Sequence, residues 1–503
     1  MRKRRLRIIE DTPTRLAVDN DAGVLKRRSV RGAAVTFAAQ GMRSVLQLGS
    51  QIVLAHLLMP AEFGLVAMVA PVLSLVQIFN ELGLTQATVQ RPEISHQELS
   101  ALFWVNMAIS SGLAVLMALL SPLVAWIYGE PRLVLITIAA ASLLVLSGIS
   151  AQQVALMTRR MQFMPLASID LSCMVAAVIV GVIAAGLGCG YWSLILMQAA
   201  NSLTTAVLAW ALSDWCPSRP CRGVPIGPML RFGGHLTALN ILGYIENNLG
   251  TVLIGSLIGP IALGLYDRAF KLVIVPWWQI TLPIARVATS LLARLRGSDY
   301  YYARASDRML QGLLLAVVPG LVWAAMLSDL LVPFVLGRAW SDAAPIVTWL
   351  ALATCFVPFG ECGYWLFVSQ DRVGEQLRYA AVSAVFLVAA MLIGVHWGAV
   401  GVARSYACFA AVIQGASLWG ATRRGPVTLR RVLWATYPIV IGGLLGGAAV
   451  AGGEGMLAET SVWARLGAGL LLSYGVCGLS LICMPAGLRM LRDMWDLRST
   501  FQA

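Results

Sequence analysis

Fourteen apolar stretches of helix length follow one another along this chain, and they decide its class. They fall at about 33–58, 63–89, 99–128, 133–157, 167–188, 191–213, 229–258, 270–293, 309–336, 346–369, 377–395, 398–421, 433–452 and 462–484. A membrane-spanning helix needs ~20 mostly apolar residues, whereas the strands of a membrane barrel alternate over ~10. In 503 residues such runs leave little chain for anything else, and only 12% of the residues are charged. Soluble proteins carry about twice that share. A soluble enzyme, a disordered chain and a disulfide-stapled module are thereby excluded. The sequence predicts an all-α polytopic membrane protein with 14 transmembrane helices. The first stretch is too long for a signal-peptide core and no small-residue cleavage site follows it, so a retained span is expected.

The basic residues orient the spans. Ten lysines and arginines, from Arg2 to Arg31, precede the first stretch. The loops after even-numbered stretches and the C-terminal tail hold most of the others, including Arg159, Arg160, Arg294, Arg296, Arg372, Arg423, Arg424, Arg430 and Arg431. The opposite loops hold only Arg132, Arg338 and Arg465. Basic residues gather on the cytoplasmic side, so both termini are expected there, and most of the +13 net charge is a topology signal rather than a nucleic-acid footprint.

The longest connections, 213–228 and 294–308, read as short, basic, turn-rich loops. None is long enough for a folded extramembrane domain. The nine cysteines lie mostly in apolar runs, and Cys216 and Cys221 are five apart with no histidine nearby. That spacing gives no metal or redox site. His56, His96, His235 and His396 are scattered, and no GxxxxGK[ST] loop is present. No cofactor is expected, and no enzymatic activity.

A shift of 200 residues exposes an internal match. Pro60 falls on Pro260, Gly64 on Gly264, Leu65 on Leu265 and Arg31 on Arg231, so LLMPAEFGL aligns with LIGPIALGL. A displacement of six helices preserves orientation. Two six-helix lobes related by a pseudo-two-fold axis along the membrane normal are therefore expected, with two extra C-terminal helices; substrate sites of such transporters lie between the repeats. The expected segments are a cytoplasmic basic tail over 1–31, an N-lobe over 32–213, an inter-lobe loop over 214–228, a C-lobe over 229–421, the last two helices within 422–484 and a cytoplasmic tail over 485–503.

Polar residues recur at matching places in the repeat. Gln40, Arg43, Ser44, Gln47 and Gln51 lie within ~100° of arc on the first span. Asn240, Tyr244, Asn247 and Thr251 make a similar stripe on the seventh. Unsatisfied polar groups in lipid cost several kcal/mol each, roughly, so both stripes should face protein or water. They either bond across packed helices or line a cavity. Arg43, near mid-membrane, favours the cavity, because a charge at that depth marks a functional site.

Further charges fall within the spans: Arg268, Lys271, Arg286 and Arg404 against Glu246, Asp267 and Glu361. Asp267 and Lys271, four apart, are expected to pair along a helix, leaving Arg268 the freer charge. Glu246 reads either as half of a buried ion pair or as a coupling residue, and Glu361 either as a protonatable coupling residue or as part of helix packing. A net-positive cavity suits an anionic ligand, and guanidinium groups grip phosphates with two parallel donors. Tyr244, Trp277, Trp278, Tyr364 and Trp365 either stack on sugar rings or belong to the interfacial aromatic belt. Pro71, Pro276 and Pro283 bend their helices, as a hinge or as fixed curvature.

The stretches LAHLLMPAEFGLVAMV, ELGLTQATVQ, GPIALGLYDRAFKLVIVP and LGRAWSDAAPIVTWLAL resemble the Wzx-type polysaccharide flippases of the MOP (multidrug/oligosaccharidyl-lipid/polysaccharide) superfamily, in particular their colanic-acid and xanthan exporter branch. The resemblance runs from about residue 30 to 420. It implies 14 helices, two six-helix lobes and a central cationic cavity. It also implies movement of an undecaprenyl-pyrophosphate-linked oligosaccharide from the inner to the outer leaflet of the bacterial inner membrane. Arg43 with Arg268 or Arg286 resemble the cavity arginines of related lipid II flippases.

The expected substrate-binding residues are thus Arg43, Gln40, Gln47, Gln51, Asn240, Tyr244, Asn247, Arg268, Lys271, Arg286 and Arg404, with Glu246, Asp267 and Glu361 as coupling candidates. The polymerase and chain-length or export proteins of the same pathway are candidate partners. The alternative is a MATE-like cation-coupled multidrug antiporter, which would want a net acidic cavity. A non-transporting scaffold would leave the deep Arg43 without a reason.

Overall fold

The computed structural model describes residues 22–81, 88, 95–219, 244, 248–455, 459–490 and 492, with the backbone alone at 22–39 and 79–81. Every regular element among them is helical, as expected where backbone groups must be satisfied within their own segment. In chain order these are α1 (Ala22–Leu57), α2 (Pro60–Glu81), α3 (His96–Tyr128), α4 (Leu133–Arg159), α5 (Phe163–Gly186), α6 (Trp192–Leu212) and α7 (Asn248–Leu257). Then come α8 (Pro260–Arg294), α9 (Asp299–Met326), α10 (Ser328–Val335), a 3-10 turn (Arg338–Ala343), α11 (Ala344–Thr354), α12 (Val357–Ser369), α13 (Val373–Val395), α14 (Gly398–Thr422), α15 (Leu429–Glu454) and α16 (Val462–Cys483). Twelve spans among the described residues are long and apolar enough to cross a membrane. Of the other two expected spans, 33–58 corresponds to the later part of α1, which ends at Leu57, and 229–258 is described continuously only from Asn248, as α7.

Local chemistry sets several helix ends. Ser95 accepts from the Glu98 amide while the Glu98 carboxylate accepts from the Ser95 amide, a reciprocal capping box that starts α3. Gly129 closes that helix at φ 67°, where a side chain would be strained. Pro60 and Pro260 occupy the first positions of α2 and α8, where the missing N–H costs nothing.

The structure departs from the sequence expectations at several places. α1 begins at Ala22, inside the stretch expected as a tail. The expected loop 294–308 is largely helix, because α9 starts at Asp299. Tyr302, Ala303 and Ser306 turn inward there, and the Tyr302 hydroxyl bonds that of Ser369 at 2.5 Å. A basic, tyrosine-rich sequence looks like a loop, but its small and aromatic residues recur at helical spacing. The expected helix 309–336 breaks at Leu327, and 346–369 breaks at Cys355–Phe356, just ahead of Pro358. Pro358 has no N–H to donate to the Thr354 carbonyl, so the helical ladder cannot run through, which accounts for the second break.

Backbone packing divides the chain into two units, 1–58 with 69–247, and 59–68 with 248–503. In the first unit α1 lies on α5, α3 on α4, and α6 on both α4 and α5. Residues 213–219 fold back on α3. Trp215 enters a core of Leu99, Leu102, Phe103 and Leu156, and its indole donates to His96 Nδ1 at 3.1 Å.

In the second unit α9 is central and touches α8, α11, α15 and α16. Small residues let α15 come close on two sides. A Cβ on Gly443 or Gly447 would press on Val318 or Val322 of α9, and one on Gly442 or Gly446 would press on Ser480 or Ser473 of α16. Close backbone approach at small residues is how membrane helices gain dispersion energy without a hydrophobic drive. The Ser473 hydroxyl donates to the Pro319 carbonyl at 2.7 Å and the Trp323 indole to that of Leu466 at 3.0 Å, so the last helix, α16, is fixed to α9.

Candidate functional site

The stretch GLYDRAFKL forms the second and third turns of α8 and concentrates charge there. One oxygen of Asp267 receives Arg268 at 2.7 Å and the other receives Lys271 at 2.9 Å. Lys271 is four residues on, which puts it beside Asp267 on the helix surface. The expectation that Arg268 would be the freer cation is corrected. Its side chain is only 9% exposed, against 38% for Lys271. The guanidinium lies 4.3 Å from the centre of the Phe63 ring, and that ring meets Trp340 edge-on at 5.3 Å. Arg268 is therefore held by a carboxylate on one side and a ring on the other, and Lys271 carries the accessible charge.

Further along α8, Arg286 is exposed and has no carboxylate partner among the described residues. Lys271 and Arg286 lie within ~60° of each other around the helix and roughly 22 Å apart along it. Trp278, on the same side, is 44% exposed and meets Phe270 edge-on at 6.5 Å. The opposite side of α8, with Leu263, Tyr266, Val273, Trp277 and Leu292, is buried. Of the aromatic residues considered for sugar stacking, Trp277 and Trp365 are buried, whereas Trp278 and Tyr364 are exposed. Neighbours in a helix point ~100° apart, so each adjacent pair divides between core and surface.

Arg404 projects from α14 over the Trp349 ring of α11, 5.6 Å from its centre. Glu361 sits half-buried on α12, with no partner among the described residues. Its neighbour Gly360 packs against Gln414 so closely that a Cβ would overlap the amide, so α12 turns that side to α14 and Glu361 lies ~100° away.

On α1, Gln40 and Arg43 are exposed, Gln47 and Gln51 half-buried, and Ser44 buried with its hydroxyl donating to the Gln40 carbonyl at 2.8 Å. Gln47 and Gln51 share a face with the buried Ala55 and Leu58, so they belong to the packed side of the helix. Arg43 stands at the edge of that side, exposed and without a carboxylate partner among the described residues. Tyr244 is half-buried. Asn240, Glu246 and Asn247 lie outside the described residues.

Of the expected residues that are described, only Asp267, Arg268 and Lys271 meet in one ion-pair cluster. Sequence reasoning missed Phe63 and Trp349, the rings that support Arg268 and Arg404. Phe63 was visible inside the repeated LLMPAEFGL, but nothing in the order of residues announces which cation a ring will support.

The model of the polysaccharide biosynthesis protein family matches residues 53–345. The chain belongs to this family. It is 24% identical over 387 residues to the Lipopolysaccharide biosynthesis protein WzxC of Escherichia coli K12, covering 75% of this chain and 77% of that one. Its fold matches the lipid II flippase MurJ in an inward closed conformation with a TM-score of 0.69, at 12% identity over 90% of this chain and 98% of MurJ. An inward-facing multidrug resistance MATE transporter of the MOP superfamily matches with a TM-score of 0.57, at 16% identity over 76% of this chain and 94% of that one. This family member is thus a multi-pass membrane protein of polysaccharide biosynthesis with the fold of MOP-superfamily transporters, as its GLYDRAFKL and LLMPAEFGL stretches implied.

Proposed function

We propose that the protein flips an undecaprenyl-pyrophosphate-linked oligosaccharide from the inner to the outer leaflet of the bacterial inner membrane, with both termini cytoplasmic. In this reading fourteen helices form two six-helix lobes and an extra pair, and a cationic cavity between the lobes opens to one side at a time. The observation that carries it is the exposure of Lys271 and Arg286 within the membrane-spanning α8 and of Arg43 on α1, the two arginines having no carboxylate partner among the described residues. Charge at such depth is costly unless water or a ligand meets it.

An anionic headgroup supplies that partner. Bare passage would strip the phosphates of water at a prohibitive cost, whereas arginine and lysine donors replace it. Lys271 and Arg286, ~22 Å apart, are too distant to share one diphosphate and act as successive stations along α8. Trp278 between them offers a face to a sugar ring. The lipid tail stays in the bilayer. Gln40, Gln47, Gln51, Asn240, Tyr244, Asn247, Arg268 and Arg404 complete the proposed lining, and Asp267, Glu246 and Glu361 are the acids available for coupling. With no nucleotide-binding loop in the sequence, the drive comes from an ion gradient, the membrane potential or consumption of the product outside.

The antiporter alternative draws on the half-buried Glu361. It would require drug export to depend on that acid and not on Arg43 or Arg286. Deletion of the gene followed by glycolipid extraction separates the two. A lipid-linked repeat unit accumulates at the inner face under the flippase reading, rescued by the wild type and not by Arg43→Ala. An unchanged glycolipid pool with lost drug resistance supports the antiporter.

A further inference from the structure

A second basic feature of the same unit lies apart from the charges on α8, at the turn between α14 and α15. Four arginines flank it: Arg423, Arg424, Arg430 and Arg431. Two are committed to carboxylates. Arg431 bonds Asp307 at 2.7 Å, and Arg424 approaches Glu375 at 3.5 Å. Glu375 is also taken by Arg372 at 2.7 Å. Arg372 in turn donates to the carbonyls of Gly420, Ala421 and Arg424, which closes the end of α14, and Thr428 accepts from the Arg431 amide at the start of α15. The turn is thus built by its own bonds, and its acids are used in building it.

Arg423 and Arg430 remain. Both are exposed, and the described residues offer neither a carboxylate. The Arg423 guanidinium lies 3.4 Å from the centre of the Trp419 ring, four residues back on α14. A guanidinium stacked this way keeps its edge donors directed outward. Arg430 stands four residues before Trp434, which is 61% exposed and meets Tyr437 edge-on at 5.3 Å. The order Trp419, Arg423, turn, Arg430, Trp434 is a mirrored pair: on each helix the arginine sits one turn nearer the helix end than the tryptophan.

Tryptophan settles at the level of lipid headgroups, and arginines just beyond it meet the phosphates. Basic sites between helix ends hold anionic headgroups. We propose that the α14–α15 turn is a binding site for an anionic phospholipid of the surrounding membrane, with Arg423 and Arg430 on the phosphate and Trp419 and Trp434 against the glycerol and upper acyl chains. This site is independent of the transported substrate.

The test is native mass spectrometry of the purified full-length protein, titrated with phosphatidylglycerol, cardiolipin, phosphatidylcholine or soluble inorganic pyrophosphate. The wild type retains the two anionic lipids in preference to phosphatidylcholine. The pair Arg423→Gln with Arg430→Gln weakens that retention by about tenfold or more, since each arginine near the surface contributes several-fold. Arg423→Lys with Arg430→Lys keeps the charge and retains more lipid than the glutamine pair, which also guards against a folding defect. Arg132→Gln, whose arginine already pairs with Glu130 at 3.1 Å, leaves retention unchanged. Undiminished retention in the glutamine pair, or equal loss in the lysine pair, overturns the proposal. So does competition by pyrophosphate at the lipid's own concentration, which would make this a free-anion site.

Discussion

Gly64 and Gly264 are each pressed against the proline that opens the other's helix: a Cβ on Gly64 would overlap the Pro260 carbonyl, and one on Gly264 the Pro60 carbonyl. Each glycine stands four residues after its own proline, and the two segments are the ones that coincide when the sequence is shifted by 200. The two matching segments therefore make a reciprocal backbone contact within the second packing unit. Glycine is required on both sides for one reason, the absence of a side chain where two backbones meet.

Alanine at either glycine should force the two helix starts apart. Overpacking of this kind costs ~1–3 kcal/mol. Gly64→Ala and Gly264→Ala should each lower the thermal unfolding midpoint of the purified protein. The double variant should lose less than the sum, because the first displacement makes room for the second methyl group. A wild-type midpoint in either single variant would contradict the reciprocal contact.

Arg268 and Lys271 should separate stability from transport. Arg268 is sandwiched between Asp267 and Phe63, so Arg268→Ala leaves a largely buried carboxylate with a weaker partner and should lower thermal stability. Lys271→Ala removes a half-exposed charge and should leave the unfolding midpoint near the wild type while reducing glycolipid translocation. Phe63→Leu, which removes only the ring, should cost ~1–2 kcal/mol. A stable Arg268→Ala beside an unstable Lys271→Ala would reverse the assignment.

The membrane class and most spans were legible in the sequence because length and apolarity alone decide whether a helix can cross a bilayer. The charges on α8 were legible too, since Asp267 and Lys271 need only helical spacing to meet. What could not be read was the partner of Arg268. It comes from Phe63, some 200 residues away, and only tertiary packing brings a ring over a cation. The break at Leu327 is of the same kind: α10 is set by packing of Leu327 and Leu331 against Val450 and Leu466, and the local sequence carries no breaker there. The missed helical turns at Asp299 reflect a composition that suits a loop and a helix equally, decided by the burial of Tyr302.

Arg372 holds three connections together. Its guanidinium serves Glu375, Gln370 and the carbonyls at the end of α14, and it lies 4.9 Å from the centre of the Phe367 ring. Hydrogen bonds from a charged donor contribute ~1.5–3 kcal/mol each, but they are not additive within one group. Arg372→Gln should therefore lower stability by ~2–3 kcal/mol, visible as a reduced unfolding midpoint. Arg372→Lys should recover only part, because a single ammonium cannot reach the same carbonyls and carboxylate together. Full recovery by lysine would show that charge alone matters at this position.

The account turns on whether exposed cations within the spans move a diphosphate-linked glycan across the bilayer. The direct measurement is reconstitution of the purified protein into vesicles carrying an undecaprenyl-pyrophosphate-linked oligosaccharide in the inner leaflet only, with a membrane-impermeant glycosidase outside. Wild-type vesicles should expose the glycan to cleavage over time. Vesicles with Arg43→Ala or Arg286→Ala, holding equal amounts of folded protein, should expose it far more slowly. Wild-type vesicles no faster than protein-free ones, or arginine variants as fast as the wild type, would contradict it.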